Sequence, residues 1–163
     1  MAPNDRAVSD VNAKVLFRVP SHDPDDDTAV VESLWAFDLG EDRYKLDNLP
    51  YFAYSVSCGD TVYAPFDEYE GFPAFREVVV KSGNRTVRLY FDQPFEEGNE
   101  TDSVLCSLLE LGCEYEGASK HFFCLNIPPT AAFDAVVEFL IESQIQFEYA
   151  DPSYEELFPN EID

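Results

Sequence analysis

The chain has 163 residues, and its 33 Asp and Glu against 10 Lys and Arg give a formal net charge of -23. That charge excludes direct nucleic-acid binding, which needs a basic footprint, and repels anionic membrane surfaces. With 45% apolar residues, 14 Phe and nine Tyr, the chain is also too aromatic for a disordered acidic tail, so a packed core under an acidic surface is expected.

Residues 1–12 are polar and read as a flexible N-terminus. Lys14 to Val19 reads as a strand with Val15, Phe17 and Val19 on one face, ended by Pro20. Ser21 to Thr28 holds four aspartates and reads as a solvated loop. Val30 to Phe37, Tyr44 to Leu46, Tyr51 to Val56 and Thr61 to Ala64 read as further strands. The turns Asp47-Asn48-Leu49-Pro50 and Cys58-Gly59-Asp60 separate the last three, and Trp35 is expected to pack. An acidic, aromatic loop over 67–73 follows. Phe75 to Lys81 and Arg85 to Phe91 then flank Ser82-Gly83-Asn84 as a predicted hairpin, the one locally basic element, with Arg76, Lys81, Arg85 and Arg88. Residues 13–81 are therefore read as a β-rich half, a bent antiparallel sheet or barrel.

Residues 82–150 have the clearer pattern. After the strand 85–91, Val104, Leu105, Leu108 and Leu111 predict a helix over 102–111, capped by Asn99 or Thr101 and ended by Gly112. Cys113 to Glu116 and Lys120 to Ile127 predict a strand pair around Gly117. Pro128 and Pro129 open a helix to about Ser143, with Phe133, Val136, Val137, Leu140 and Ile141 as a core-facing stripe. Ile145 to Tyr149 is a last strand, and 151–163 an acidic tail. The order strand, helix, strand, strand, helix, strand is the ferredoxin-like βαββαβ plan, so the fold class is α+β. That plan hosts many activities and settles none.

The charge is uneven. From Leu89 to Asp163 there are 17 acidic residues and one basic residue, Lys120. Asp134, Glu138 and Glu142 recur at i, i+4, i+8, an acidic ridge opposite the apolar stripe. Like charges at that spacing are mildly destabilising, and Glu142 lies at the helix end where negative charge is unfavourable. Asp92, Glu96, Glu97 and Glu100 form a second cluster beside Asp102. Asp151, Tyr154, Glu155 and Glu156 form a third with Glu161 and Asp163, interleaved with Tyr149, Leu157 and Phe158. Aromatic anchors ringed by charge suit a protein interface. They equally suit a tail folded onto its own domain, and the ridge equally suits a solvated face.

Catalytic signatures do not compete with this signal. There is no Gly-x-Ser-x-Gly elbow, phosphate loop, dinucleotide fingerprint or HExxH pair, so no enzyme activity and no cofactor is expected. Asp23 to Asp27 lacks the glycine and glutamate of a calcium loop, and His22 and His121 are far apart, so no metal site is expected. Cys58, Cys106, Cys113 and Cys124 lack zinc spacing and read as four buried thiols in a reducing cytoplasm. No run is long enough to span a membrane. Asp47, Asn48 and Asp60, with Cys58, remain candidates for a small-ligand or enzymatic pocket between the halves.

The ordered stretches Val15 to Pro20, Glu32-Ser-Leu-Trp-Ala36, Tyr44 to Ala53 with its Leu-Asp-Asn-Leu-Pro-Tyr-Phe, and Ser57 to Val62 resemble the uncharacterised bacterial family called domain of unknown function 4265. The resemblance is close over residues 14–65 and looser to about 150. It implies a bacterial cytoplasmic protein and carries over no catalytic residue. The charge then favours a basic protein partner, most simply a toxin domain blocked by this chain as its immunity protein. The alternatives are a DNA mimic that occupies a DNA-binding protein, or a halophilic adaptation with no partner at all.

Overall fold

A computed structural model of the protein describes residues 13–21 and 23–161. The N-terminus expected to be loose (1–12), His22 and the tail acid Asp163 lie outside the described residues. The elements are β1 (Ala13–Pro20), β2 (Ala29–Gly40), β3 (Arg43–Leu46), β4 (Thr61–Tyr63), β5 (Phe66–Asp67), β6 (Phe72–Pro73), β7 (Glu77–Val80), β8 (Arg85–Tyr90), α1 (Glu100–Glu110), β9 (Glu114–Gly117), β10 (Phe122–Ile127), α2 (Phe133–Glu142), β11 (Gln146–Asp151) and α3 (Tyr154–Leu157). The class is mixed α and β with antiparallel sheets. The chain divides into two compact units: residues 1–48 with 58–82, and 49–57 with 83–163. Leu49–Ser57 thus leaves the half in which its sequence position places it.

In the first unit β1, β2, β3, β4 and β7 form a five-stranded antiparallel sheet in that order. It is open, and not the closed barrel its short strands also allow. Alternation sets its buried face: Val15, Phe17 and Val19 of β1 are buried with Leu34 and Ala36 of β2, and Val15 pairs with Leu34. Irregularities between Asp38 and Gly40 and between Thr61 and Val62 bend the strands. Trp35, expected to pack, is 45% exposed, with Lys14 Nζ 4.6 Å above its ring.

The hairpin predicted around Gly83 does not form. β7 pairs with β4, whereas β8 pairs with β10 and β11 in the other sheet. The turn's donors go elsewhere: the buried Asp60 carboxylate accepts from Lys81 Nζ at 2.7 Å and from the Ser82 amide at 2.8 Å. Of the four residues of the expected basic element, Arg88 is buried and Lys81 pairs with Asp60, while Arg76, Lys81 and Arg85 are exposed.

The second unit has a four-stranded antiparallel sheet in the order β11-β8-β10-β9. One face buries Val87, Leu89, Phe123, Leu125 and Ile127 against Val104, Leu105 and Leu108 of α1 and Val136 and Leu140 of α2. Asn99 caps α1, its Oδ1 accepting the Asp102 amide at 2.9 Å. Helix α2 starts at Phe133, later than the two prolines suggest, because Pro128–Ala131 closes a turn first, the Ala131 amide donating to the Pro128 carbonyl at 2.9 Å.

Side chains alternate across strands, so Arg88, the neighbour of Val87 and Leu89, emerges on the other face. It is 1% exposed. Leu49–Ser57 covers it there, and this stretch is irregular instead of the strand predicted over Tyr51–Val56. The reason is where its backbone bonds go. Arg88 donates to the carbonyls of Pro50 and Ala53, and the Ser55 amide donates to Ala150 at 2.7 Å. Arg88 Nη1 also pairs with Glu148 at 3.1 Å, and its guanidinium stacks on Tyr54 at 4.8 Å. Glu148 accepts further from the Tyr54 hydroxyl at 3.0 Å and the Tyr90 hydroxyl at 3.3 Å. Phe122 stacks on Tyr90 at 4.9 Å and meets Tyr51 at 5.9 Å.

Burial and the Glu148 carboxylate push the Tyr90 phenol up to about 12. Between pH 10, the ordinary value, and about 12, the unfolded chain releases this proton while the folded chain keeps it. The contribution is therefore complete below pH 10 and is lost as pH rises towards 12. Burial raises the Tyr54 phenol in the same direction. Urea unfolding across this range is expected to show falling stability, and Tyr90→Phe to flatten the fall.

Candidate functional site

Helix α2 and the tail beyond β11 build an acid-rimmed apolar groove within the second unit. The α2 stripe is wider than one packing face needs. Val136 and Leu140 are buried, Phe133 and Val137 half-buried, and Ile141 is 61% exposed. The helix ends where the Ser143 amide donates to the Phe139 carbonyl at 2.9 Å. The tail returns as α3, a single turn closed by a capping box. The Ser153 hydroxyl accepts the Glu156 amide, and the Glu156 carboxylate accepts the Ser153 amide at 2.7 Å. Tyr149 of β11 lies between helix and tail, its ring 6.3 Å from Phe133 and 5.9 Å from Phe158.

The groove has a volume of about 600 Å³. Phe133, Val137 and Ile141 line it from α2, Leu157 and Phe158 from the tail, and Tyr149 from the sheet. Asp134, Glu138 and Glu142 line it as well, all exposed. The acidic ridge therefore does not lie opposite the whole apolar stripe. Ridge and the outer part of the stripe, offset by one residue, border the same hollow. Among the described residues no cation pairs with these three carboxylates, and the last turn of α2 has no basic residue to offset Glu142. Arg85 lies 4.5 Å over Phe133. Burial, and after it the nearby Asp134 carboxylate, hold the Tyr149 phenol above its ordinary value.

The remaining predicted site residues fall elsewhere. Asp92 and Glu100 line a separate polar hollow of about 270 Å³ with Gln93, Gln144 and Gln146. Glu96 and Glu97 are exposed in the loop before α1. Asp151 is no surface acid: it is 5% exposed and accepts from Ser57 Oγ at 2.5 Å, while the same hydroxyl meets Thr86 Oγ1 at 2.7 Å. Tyr154 is exposed, its ring lies tilted 4.9 Å from that of Phe158, and its hydroxyl donates to Glu161 at 2.6 Å. Glu155 is exposed; Glu156 is held in its capping box and accepts from Ser55. The tail both packs on its own unit and supplies a groove wall.

Asp47, Asn48 and Asp60 serve local structure. Asn48 Oδ1 accepts the Trp35 amide at 2.7 Å, and the Asp47 amide donates to the Trp35 carbonyl at 2.8 Å. The aspartates of 23–27 likewise close their own loop, Asp23 accepting from Asp25 and Asp26 from Thr28. Among the described residues no group of three or more His, Cys, Asp or Glu is arranged to hold a metal ion. No helix among them is long and apolar enough to cross a membrane. The sequence reading took Val137 and Ile141 for core; the width of the α2 stripe, five apolar positions over two turns, was the available signal that some of it remains uncovered.

A family model described as Domain of unknown function (DUF4265) matches residues 32–149. A solved structure described as a novel crystal structure of a hypothetical protein from Neisseria gonorrhoeae is similar, with a TM-score of 0.73 at 14% identity over 87% of this chain and 96% of that one. At that identity the likeness speaks for the fold alone. No curated protein matches the chain.

Proposed function

The chain belongs to the DUF4265 family, and from that footing we propose that it is a protein-binding module whose acidic surface takes a basic partner. The observation that carries this is the pairing of three carboxylates without cation partners, Asp134, Glu138 and Glu142, with an uncovered apolar hollow. Charge steers the encounter, and desolvated apolar anchors hold the complex. The like-charged row costs some stability, which a cationic partner would offset. The partner class that fits is a protein with a cationic cleft or helix, such as a nucleic-acid-directed toxin domain blocked by its immunity protein. We also read residues 82–150 as ferredoxin-like, supported by the element order and by the strand order β11-β8-β10-β9. A cytoplasmic site is supported by the cysteines, since none of the four is in a disulfide among the described residues, although only Cys113 and Cys124 are buried as expected, Cys58 being half-buried and Cys106 exposed at the surface of α1.

The test compares two neutralised variants against a lysine decapeptide. Asp134→Asn, Glu138→Gln and Glu142→Gln together should weaken binding about tenfold at low salt. Asp92→Asn, Glu96→Gln and Glu97→Gln should do far less. Equal losses from the two triples would mean an undirected negative field and would overturn the reading.

A further inference from the structure

We infer that the groove between α2 and the tail takes a basic amphipathic α-helix of the partner, an inference that rests on the basic-partner reading above. The hollow needs two chemistries at once. Its walls, Val137, Ile141, Leu157 and Phe158, call for an apolar stripe. Its row of Asp134, Glu138 and Glu142 calls for Lys or Arg along one side of that stripe. At a rise of 1.5 Å per residue these carboxylates recur about every 6 Å over about 12 Å of helix axis. Cations at i, i+4 and i+8 of a second helix share that repeat, so they can meet the acids one to one.

Backbone chemistry separates a helix from an extended peptide. The walls are side chains of α2, of the α3 turn with its C-cap Phe158, and of Tyr149, and the amides and carbonyls of α2 and α3 bond largely within their own turns. An extended segment pressed into such apolar walls would bury unpaired N–H and C=O groups, at a cost of about 1–3 kcal/mol each. A helix satisfies those groups internally and presents only side chains, as in other helix-in-groove recognition. Width agrees: the part of the α2 stripe that is not buried is a single row, half-buried Phe133 and Val137 and exposed Ile141, which one incoming helix can cover.

Three short peptides test this with the full chain. One arranges Leu and Lys as an amphipathic helix, one has the same residues scrambled, and one is the helix with Glu in place of Lys. Fluorescence anisotropy reads affinity and circular dichroism reads helix gained on mixing. The ordered basic peptide should bind about thirtyfold tighter than the scrambled one and gain helix, and the acidic peptide should not bind. Ile141→Asp should erase the ordered peptide's advantage while leaving the weak, salt-sensitive binding of the scrambled peptide. Because Ile141 is largely exposed, this variant is expected to fold. If the scrambled peptide binds as tightly as the ordered one, the helical occupant is overturned while the charge reading stands. If neither basic peptide binds, both fall.

Discussion

Arg88→Met is expected to lower the melting temperature by roughly 10 °C, on the basis of about 3 kcal/mol lost at 2–4 °C per kcal/mol. The side chain is 1% exposed and joins three groups of the same unit: the Pro50 and Ala53 carbonyls and the Glu148 carboxylate. Removing it leaves two carbonyls without this donor and deprives the part-buried Glu148 carboxylate of its cation, with the Tyr54 and Tyr90 hydroxyls still donating to it. An unmet buried acceptor costs more than a made bond contributes. Arg88→Lys should recover little, because one ammonium cannot reproduce a planar fork serving both carbonyls and Glu148. Hydrogen exchange should show residues 49–57 losing protection first. A melting temperature within about 2 °C of the parent, which at this chain length means under about 1 kcal/mol, would contradict the role given to Arg88.

Reversing Asp134, Glu138 and Glu142 to Lys together should slow association with the lysine decapeptide well over tenfold at low salt and remove most of the salt dependence. The single change Glu142→Lys separates lost binding from lost folding. It places a cation at the C-terminal end of α2 and four residues after Glu138, both favourable, so it should stabilise by about 0.5 kcal/mol while weakening binding. A groove residue whose replacement improves the fold and harms recognition is kept for recognition. If Glu142→Lys destabilised the fold, the carboxylate would have a structural role that its exposed position does not display.

Much of this architecture follows from local pattern. The periodicity of Val104, Leu105 and Leu108 marks α1, and the alternation of Val15, Phe17 and Val19 marks β1. Misreadings arose where pairing is long-range. Ser82-Gly83-Asn84 is a good turn, yet β7 and β8 each find other neighbours, and no local signal reports that. Tyr51 to Val56 has strand composition, but an arginine more than thirty residues away takes the carbonyls of Ala53 and of the preceding Pro50. The α3 turn lies in a stretch read only as an acidic tail, although Ser153 followed three residues later by Glu156 is the local signal of a capping box. At the groove, the acidic row was visible as i, i+4, i+8. Its coincidence with an apolar wall was not, because the second wall comes from Leu157 and Phe158, some twenty residues on.

The decisive measurement is a map of backbone amide shifts as the lysine decapeptide is titrated into the full-length protein. The largest changes should fall on α2 and on residues 154–158, and fade as salt screens the charge. Shifts spread evenly over the acidic positions, or centred on the loop before α1, would contradict a directed binding groove.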